Sequence, residues 1–445
     1  MKKTTMLFIH LRNVEIAIEF RRVIALVLWL LLISVFLISC AAESKDKSQI
    51  PLAVLGKIKP LNARDIDNSL LSIGAETMDR DYTVYENWKE YLGPLGFKKA
   101  RIQAGWAKTE QTPGQYNWQW FDAIVYDMVE QGVEPWVNLA WGNKLYTEEY
   151  GERGGPPKTE AQFHAWEKFI RALVSRYREH IDEWEIWNES KKLTAEEEAT
   201  LIIRTAQIIK EIQPGATVII FAMEHRVFRA LVDEKYCSTI KEQNGAFNCD
   251  YAKEVLDIIA SKEKLSLIDE ISFHPYEYNP DEINPFIDTL KNIVKKYGSH
   301  LKIRQGENGV PSEINEERAL ANHPWTETAQ AKWALRRMIS DLGHGIESSY
   351  FSIADMKYQE EINRKGLLYI NEDKTIHHPK EAYYALQHMA TIFNNGLVAV
   401  PNTIYRTESS IPISLFSFAN TLTQNSVIAI WRNDQVPDEK MFINL

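Results

Sequence analysis

The hydrophobic positions of this chain fall into two alternating patterns. Short apolar, β-rich runs lie at 70–77, 99–104, 134–140, 183–187, 217–222, 267–274, 301–306 and 346–352. Between them run amphipathic stretches, among them 161–178, 195–212, 285–297 and 328–342, and another at 381–393 follows the last strand. Near-continuous apolar strands predict a sheet buried on both faces, and helices between them predict parallel crossover connections. Eight such units predict an α/β chain folded as a closed (β/α)8 TIM-type barrel over residues 69–396. The competing open, doubly wound sheet usually carries a Gly-rich phosphate turn after its first strand. Here that position reads Gly74-Ala75-Glu76, which is no such turn.

Both ends break the pattern. From 402 to 431 the alternation is strand-like, with runs at 411–418 and 426–431, and predicts a small C-terminal β element over 397–445 that shares strands with 50–58. Its length is short for a complete β-sandwich. At the other end, Lys2, Lys3, Arg12, Arg21 and Arg22 precede an apolar run from Val23 to Ser39, closed by Leu37-Ile38-Ser39-Cys40. This end resembles a bacterial lipobox. The resemblance implies a lipoprotein signal peptide over 1–40, a lipid on Cys40, and a polar tether and lead-in strand over 41–68. An uncleaved membrane anchor is the alternative. Either way the body is expected outside the cytoplasm, on the membrane of a bacterial cell envelope.

Composition narrows the chemistry. The chain is 45% hydrophobic and 25% charged, with a net charge of −10 carried by interspersed acids. That excludes the basic patch a nucleic-acid partner requires. Cys237 and Cys249 are the only cysteines besides Cys40, and in an exported chain such a pair predicts a disulfide. His164, His180 and His344 are isolated, so neither a metal nor another cofactor is expected.

Barrels place their chemistry at the C-terminal ends of the strands. The fourth run ends Trp184-Glu185-Ile186-Trp187-Asn188-Glu189, and the seventh ends Ile303-Arg304-Gln305-Gly306-Glu307-Asn308-Gly309. Each brings a carboxylate to the rim, and strands four and seven face each other across the mouth. A carboxylate pair of this kind suits glycoside hydrolysis, where one group protonates the leaving oxygen and the other attacks the anomeric carbon.

Trp187-Asn188-Glu189 together with Gly306-Glu307-Asn308-Gly309 resembles clan A of the glycoside hydrolases. The layout over about 70–395 is most similar to family 39, and the seventh strand has family 5-like features. The resemblance implies a retaining double displacement on β-glycosidic bonds, with Glu307 as nucleophile and Glu189 as acid/base. It implies that Asn188 bonds the sugar 2-hydroxyl and that Arg101 keeps Glu307 ionised. It places His274 and Tyr276, in His274-Pro275-Tyr276, beside the nucleophile and substrate. The run Thr112-Pro113-Gly114-Gln115-Tyr116-Asn117-Trp118 resembles a structural turn of the same families. One departure stands out: Phe351 occupies the position where the clan offers a Trp sugar platform. Trp106 and Trp141 are the remaining candidates for stacking.

Exo action on a short oligosaccharide is the expectation, with stretch 142–158 and the loop holding Cys237 and Cys249 as walls. An endo-acting glycanase and a non-catalytic carbohydrate-binding lipoprotein are the alternatives. The partner is a carbohydrate in each case. Glu76, Asp79, Glu224 and His225 also follow strands and are candidates for hydroxyl contacts. Arg304, three positions before Glu307, is expected by strand parity to face the helices.

Overall fold

The computed structural model describes residues 9–11 and 56–440, apart from 152, 191–192, 244–246, 395, 409 and 421–422. The apolar run at 23–39, the lipidation candidate Cys40 and the tether at 41–49 lie outside the described residues. Among the described residues no helix is long and apolar enough to cross a membrane.

Eight parallel strands close into a barrel: β1 (Leu71–Gly74), β2 (Lys99–Gln103), β3 (Glu134–Leu139), β4 (Glu183–Ile186), β5 (Thr217–Met223), β6 (Glu270–Phe273), β7 (Lys302–Asn308) and β8 (Ser348–Tyr350). Their order around the wall follows the chain, with β8 pairing back onto β1. The outer layer includes α1 (Gln119–Glu130), α2 (Glu160–Tyr177), α3 (Ala195–Ile212), α4 (Tyr251–Ser261), α5 (Asn284–Lys295), α6 (Glu327–Gly343) and α7 (Glu381–Ile392). Local chemistry explains their starts. Thr159 with Gln162, and Thr194 with Glu197, form reciprocal capping boxes at α2 and α3.

The barrel lumen is unusually ionic. At its N-terminal end the Arg304 guanidinium lies 2.6 Å from Glu183, 2.5 Å from Glu270 and 3.1 Å from Glu347. Lys99 Nζ joins Glu183 and Glu347 at 2.5 Å each. The Trp136 ring sits in the middle, 4.9 Å from the Arg304 guanidinium and 5.5 Å from that of Arg101. Arg304 therefore points into the barrel, against the parity expectation. The reason is a bulge: Gln305 pairs with Ser348 and Asn308 with Tyr350, three residues against two. The extra residue resets the alternation, so Arg304 below it and Glu307 above it both face the interior. A second bulge interrupts β5, where Ile220 pairs with Ile271 but Met223 with Phe273.

The C-terminal element is an antiparallel sheet of β9 (Leu397–Val400), β10 (Ile413–Asn420) and β11 (Ser426–Arg432). Its outer partner among the described residues is the segment Ile9–Leu11, paired with β11. Residues 56–58 are irregular, and 50–55 lie outside the described residues. The sheet docks on the barrel through Asp281, which accepts from Ser414 Oγ at 2.6 Å and Trp431 Nε1 at 2.9 Å. Cys237 and Cys249 form a disulfide with Cα atoms 5.9 Å apart, pinning the long segment after β5.

Candidate active site

The mouth of the barrel is organised around Arg101, on β2 and fully buried. Its Nη1 donates to Glu307 Oε2 at 3.0 Å and to Glu76 Oε1 at 2.9 Å. Its Nε and Nη2 both donate to Glu185 Oε2, at 2.9 and 2.5 Å, and Nη2 also reaches Asn188 Oδ1 at 2.7 Å. Arginine is donor-only, so the Asn188 oxygen is committed to it and the amide NH2 is the end left to donate. Asn138 Nδ2 completes the layer, donating to Glu185 Oε2 at 2.8 Å and to the Trp187 carbonyl at 2.6 Å.

Above this layer stand the two rim carboxylates. Glu307 is held on both oxygens, by Arg101 on Oε2 and by the Tyr276 hydroxyl on Oε1 at 2.6 Å. His274 Nδ1 lies 3.1 Å from Glu189 Oε1 and 3.8 Å from Glu307 Oε2. An oxygen of each glutamate and a His274 ring nitrogen all fall within 4.8 Å of one another. That donor set also has the composition of a small cation site. The Arg101 guanidinium on Glu307 already places a positive charge there.

Backbone geometry places these groups. Trp187 and Glu189 adopt the left-handed region, with φ of 65° and 44°. Non-glycine residues there mark a loop whose conformation is imposed by its surroundings. Gly306 lies directly under Glu307, and a Cβ on it would stand 2.1 Å from Ser272 Oγ and 3.4 Å from both Glu185 and His274. Gly309 has φ of 151°, and a Cβ there would meet the Phe351 carbonyl oxygen at 2.4 Å. Both glycines let β7 approach its neighbours closely enough to bring Glu307 into place.

Charge at the mouth is tightly coupled. Burial pushes Glu76 up to about 7, opposed by Arg101 and reinforced by the Glu307 charge. Glu185 is equally buried, yet Arg101 and His274 overcome the burial and lower it. His274 is disfavoured as a cation by burial, but the charge of Glu307 and the bond to Glu189 raise it above its ordinary value. Lys365, from the loop before β-hairpin strand Leu368–Ile370, reaches in with its Nζ 4.6 Å from the Tyr276 ring and 2.8 Å from the Ala319 carbonyl. Burial lowers it to about 8, against the pull of Glu307 and Glu189.

The structure brings together Glu189, Glu307, Asn188, Arg101, His274 and Tyr276. Arg101 and His274 are completely buried and hold the carboxylates, Arg101 on Glu307 and His274 on Glu189. Trp141 and Phe351 stand at the rim. The Trp141 ring lies flat against Tyr150, with the Arg153 guanidinium 3.8 Å from its centroid. Trp106 is a correction: it is fully buried, stacked on Tyr146 and Phe169, with Nε1 donating to Glu110 Oε2 at 2.6 Å. It belongs to the core because its ring packs between Tyr146 and the α2 side chains Trp166 and Phe169. Glu185, Asn138 and Lys365 were not anticipated, and Glu76 only as a hydroxyl contact. A charged or amide residue inside an otherwise apolar strand was the available signal for Glu185 and Asn138; Lys365 offered none.

Solved structures of similar shape are glycoside hydrolases. The chain aligns with a family 39 glycoside hydrolase from the gut symbiont Bacteroides cellulosilyticus WH2 at TM-score 0.59 and 16% identity, over 81% of this chain and 72% of that one. A GH39 enzyme from Xanthomonas axonopodis pv. citri aligns at TM-score 0.53 and 15% identity, over 80% and 77%. A monomeric β-xylosidase from Caulobacter crescentus CB15 aligns at TM-score 0.52 and 14% identity, over 81% and 74%. This chain shares their barrel fold. No protein-family model and no curated protein sequence matches it.

Proposed function

We propose that the protein is a retaining β-glycoside hydrolase, with Glu307 as nucleophile and Glu189 as acid/base. The observation that carries this reading is the approach of the two carboxylates, oxygen to oxygen within 4.8 Å across the mouth. Retaining enzymes hold their carboxyl groups about 5–5.5 Å apart, and inverting ones leave roughly 6.5–9.5 Å for a water. The spacing here favours direct attack.

In this mechanism a Glu307 oxygen forms a bond to the anomeric carbon as the bond to the leaving oxygen breaks. The leaving oxygen keeps the electron pair and takes the proton of Glu189. Arg101 and Tyr276 orient the attacking carboxylate through its two oxygens. His274 positions Glu189 and stands between the two acids. Glu189, now ionised, removes a proton from water, which attacks the same carbon and releases Glu307. The Asn188 amide, oriented by Arg101, is the donor for the sugar 2-hydroxyl, a bond that strengthens as the oxocarbenium ion develops. We read the action as exo on short oligosaccharides. The hairpin of Glu149–Tyr150 and Arg153–Gly154 supports this by standing beside Trp141 as one wall of the mouth.

Glu307→Gly should lower hydrolysis of aryl β-glycosides about 10⁴-fold or more, with azide restoring turnover and giving a glycosyl azide of inverted configuration. Unchanged activity in that variant overturns the assignment. On an oligosaccharide ladder, early release of a single sugar supports exo action, and a spread of intermediate sizes overturns it.

A further inference from the structure

The wall of the mouth beside Trp141 carries more positive charge than its neighbours balance. Arg153, from the hairpin of Glu149–Tyr150 and Arg153–Gly154, holds its guanidinium 3.8 Å from the centroid of the Trp141 ring. Arg80, from the turn after β1, approaches the same ring at 5.9 Å and the Tyr82 ring at 5.1 Å. Tyr82 meets Tyr358 at 4.7 Å between centroids, and Arg318 lies over the Tyr358 ring at 4.2 Å. Tyr358 is close enough to Glu307 to feel its charge, so this series borders the nucleophile. Three guanidiniums and three aromatic rings thus alternate along the rim of a chain whose net charge is −10.

Two of the three charges are matched. Asp79 lies 3.1 Å from Arg80 Nε, and Glu361 pairs with Arg318. Among the described residues no carboxylate stands within ion-pair distance of Arg153, whose guanidinium rests on the Trp141 and Tyr150 rings. Burial and the nearby Arg80 charge hold Arg153 below its ordinary value. A cation taken out of water without a counter-ion costs free energy, which a ring face returns only in part.

Backbone contact fixes Arg153 there. Gly142 N donates to the Gly154 carbonyl at 3.0 Å, and Gly155 N to that of Glu148 at 2.7 Å. A Cβ on Gly142 would stand 1.8 Å from the Gly155 carbonyl oxygen, and one on Gly154 would stand 2.4 Å from the Gly142 carbonyl carbon. The hairpin therefore presses backbone to backbone on the segment that delivers Trp141. Trp141 Nε1 is buried and has no acceptor among the described residues, one more donor left unmatched at this wall.

We infer that Arg153 and Arg80 form an anion site over Trp141, which takes a carboxylate or sulfate ester borne by a glycan. Bound there, the oxyanion supplies the counter-charge that Arg153 lacks, through the paired N–H donors of a guanidinium. The inference rests on the glycosidase reading for the ligand being a glycan, and adds its charge. The acids gathered round Arg101 repel a negative charge at the cleavage point. The charged group therefore lies outward of the scissile bond, on a neighbouring residue or a branch.

The test reads binding apart from turnover. The whole protein is run through affinity gels holding polygalacturonate, alginate or glucuronoxylan as carboxylated glycans, carrageenan or fucoidan as sulfated ones, and galactan, mannan or xylan as neutral ones. At least one acidic glycan should retard the wild type, and the neutral ones should not. Arg153→Gln, checked by melting curve, should weaken that binding about tenfold, and Arg153→Lys, which keeps the charge, should recover part of it. Added salt should weaken binding of the wild type more steeply than of Arg153→Gln. Retardation by carboxylated glycans alone assigns a carboxylate, and by sulfated glycans alone a sulfate ester. Equal retardation of wild type and Arg153→Gln overturns the site, as does a wild type that no acidic glycan retards. Hydrolysis of neutral glycosides without such binding overturns the anion site alone. Binding of an acidic glycan with no hydrolysis of any glycoside overturns the glycosidase reading and leaves the anion site standing.

Discussion

The barrel lumen holds two ion clusters, one at each end, with different shares of positive charge. At the N-terminal end Lys99 and Arg304 face Glu183, Glu270 and Glu347, two cations to three acids. At the mouth Arg101 alone faces Glu76, Glu185 and Glu307, with Glu189 nearby. The consequences differ. At the closed end Glu183 is buried, yet Arg304 and Lys99 more than offset the burial and lower it to about 2, while for Glu347 burial wins and raises it. At the mouth burial pushes Glu76 up to about 7 against the pull of Arg101, the Glu307 charge and the bond to Glu189 raise His274, and Arg101 lowers Glu185. One end is a near-balanced structural plug. The other is acid-rich and binds protons in the neutral range, as a site for acid/base chemistry requires.

The largest expected effects come from removing one arginine at each end. Arg101→Met should lower kcat/KM on an aryl glycoside by about 10²–10³-fold, because both Glu307 and Asn188 lose their orientation. Arg304→Met should leave the kcat of the folded fraction near wild type but destabilise the fold by about 3–5 kcal/mol, since Glu270 loses its cation and Glu183 and Glu347 keep only Lys99. Denaturant titration with active-site counting separates the two. Equal loss of activity per folded molecule in both variants breaks the contrast.

The next effects are on pH dependence. Glu76 ordinarily titrates at 4.5 and is raised to about 7. The folded state therefore binds the extra proton, and this contribution is full below 4.5 and lost as pH rises through about 7. Glu183 is lowered from 4.5 to about 2, so its contribution is present above 4.5 and lost as pH falls through about 2. Glu76→Gln should flatten Tm against pH between 4.5 and 7, removing a slope worth on the order of 3 kcal/mol at most. Glu183→Gln should flatten it only on the acid side. Curves parallel to wild type in both variants overturn the difference in proton affinity.

The smallest effect concerns the aromatics. Trp106→Phe should cost about 1–3 kcal/mol of stability, through the lost bond to Glu110 and a small void, and leave KM unchanged. A raised KM would return Trp106 to the substrate side. Trp106 shows where reading the chain misleads: an aromatic just past a strand end looks the same in sequence whether it lines the mouth or packs under it.

The chain by itself determined the barrel and the carboxylate pair. Strands with apolar runs, helices with 3.6 periodicity and capping boxes at Thr159 and Thr194 are encoded within a few residues of each other, so each element is written locally. The order of the units then placed Glu189 and Glu307 on opposite sides of the mouth. Tertiary structure alone decided the rest. The β7 bulge turned Arg304 inward, against a parity count that assumes an unbroken strand. Closure of the barrel brought Glu76 and Glu185 onto one guanidinium and Asn138 onto Glu185, and a loop far along the chain delivered Lys365. Whether a buried acid is ionised depends on how many cations share its space. That is a property of the closed barrel and not of any segment in it.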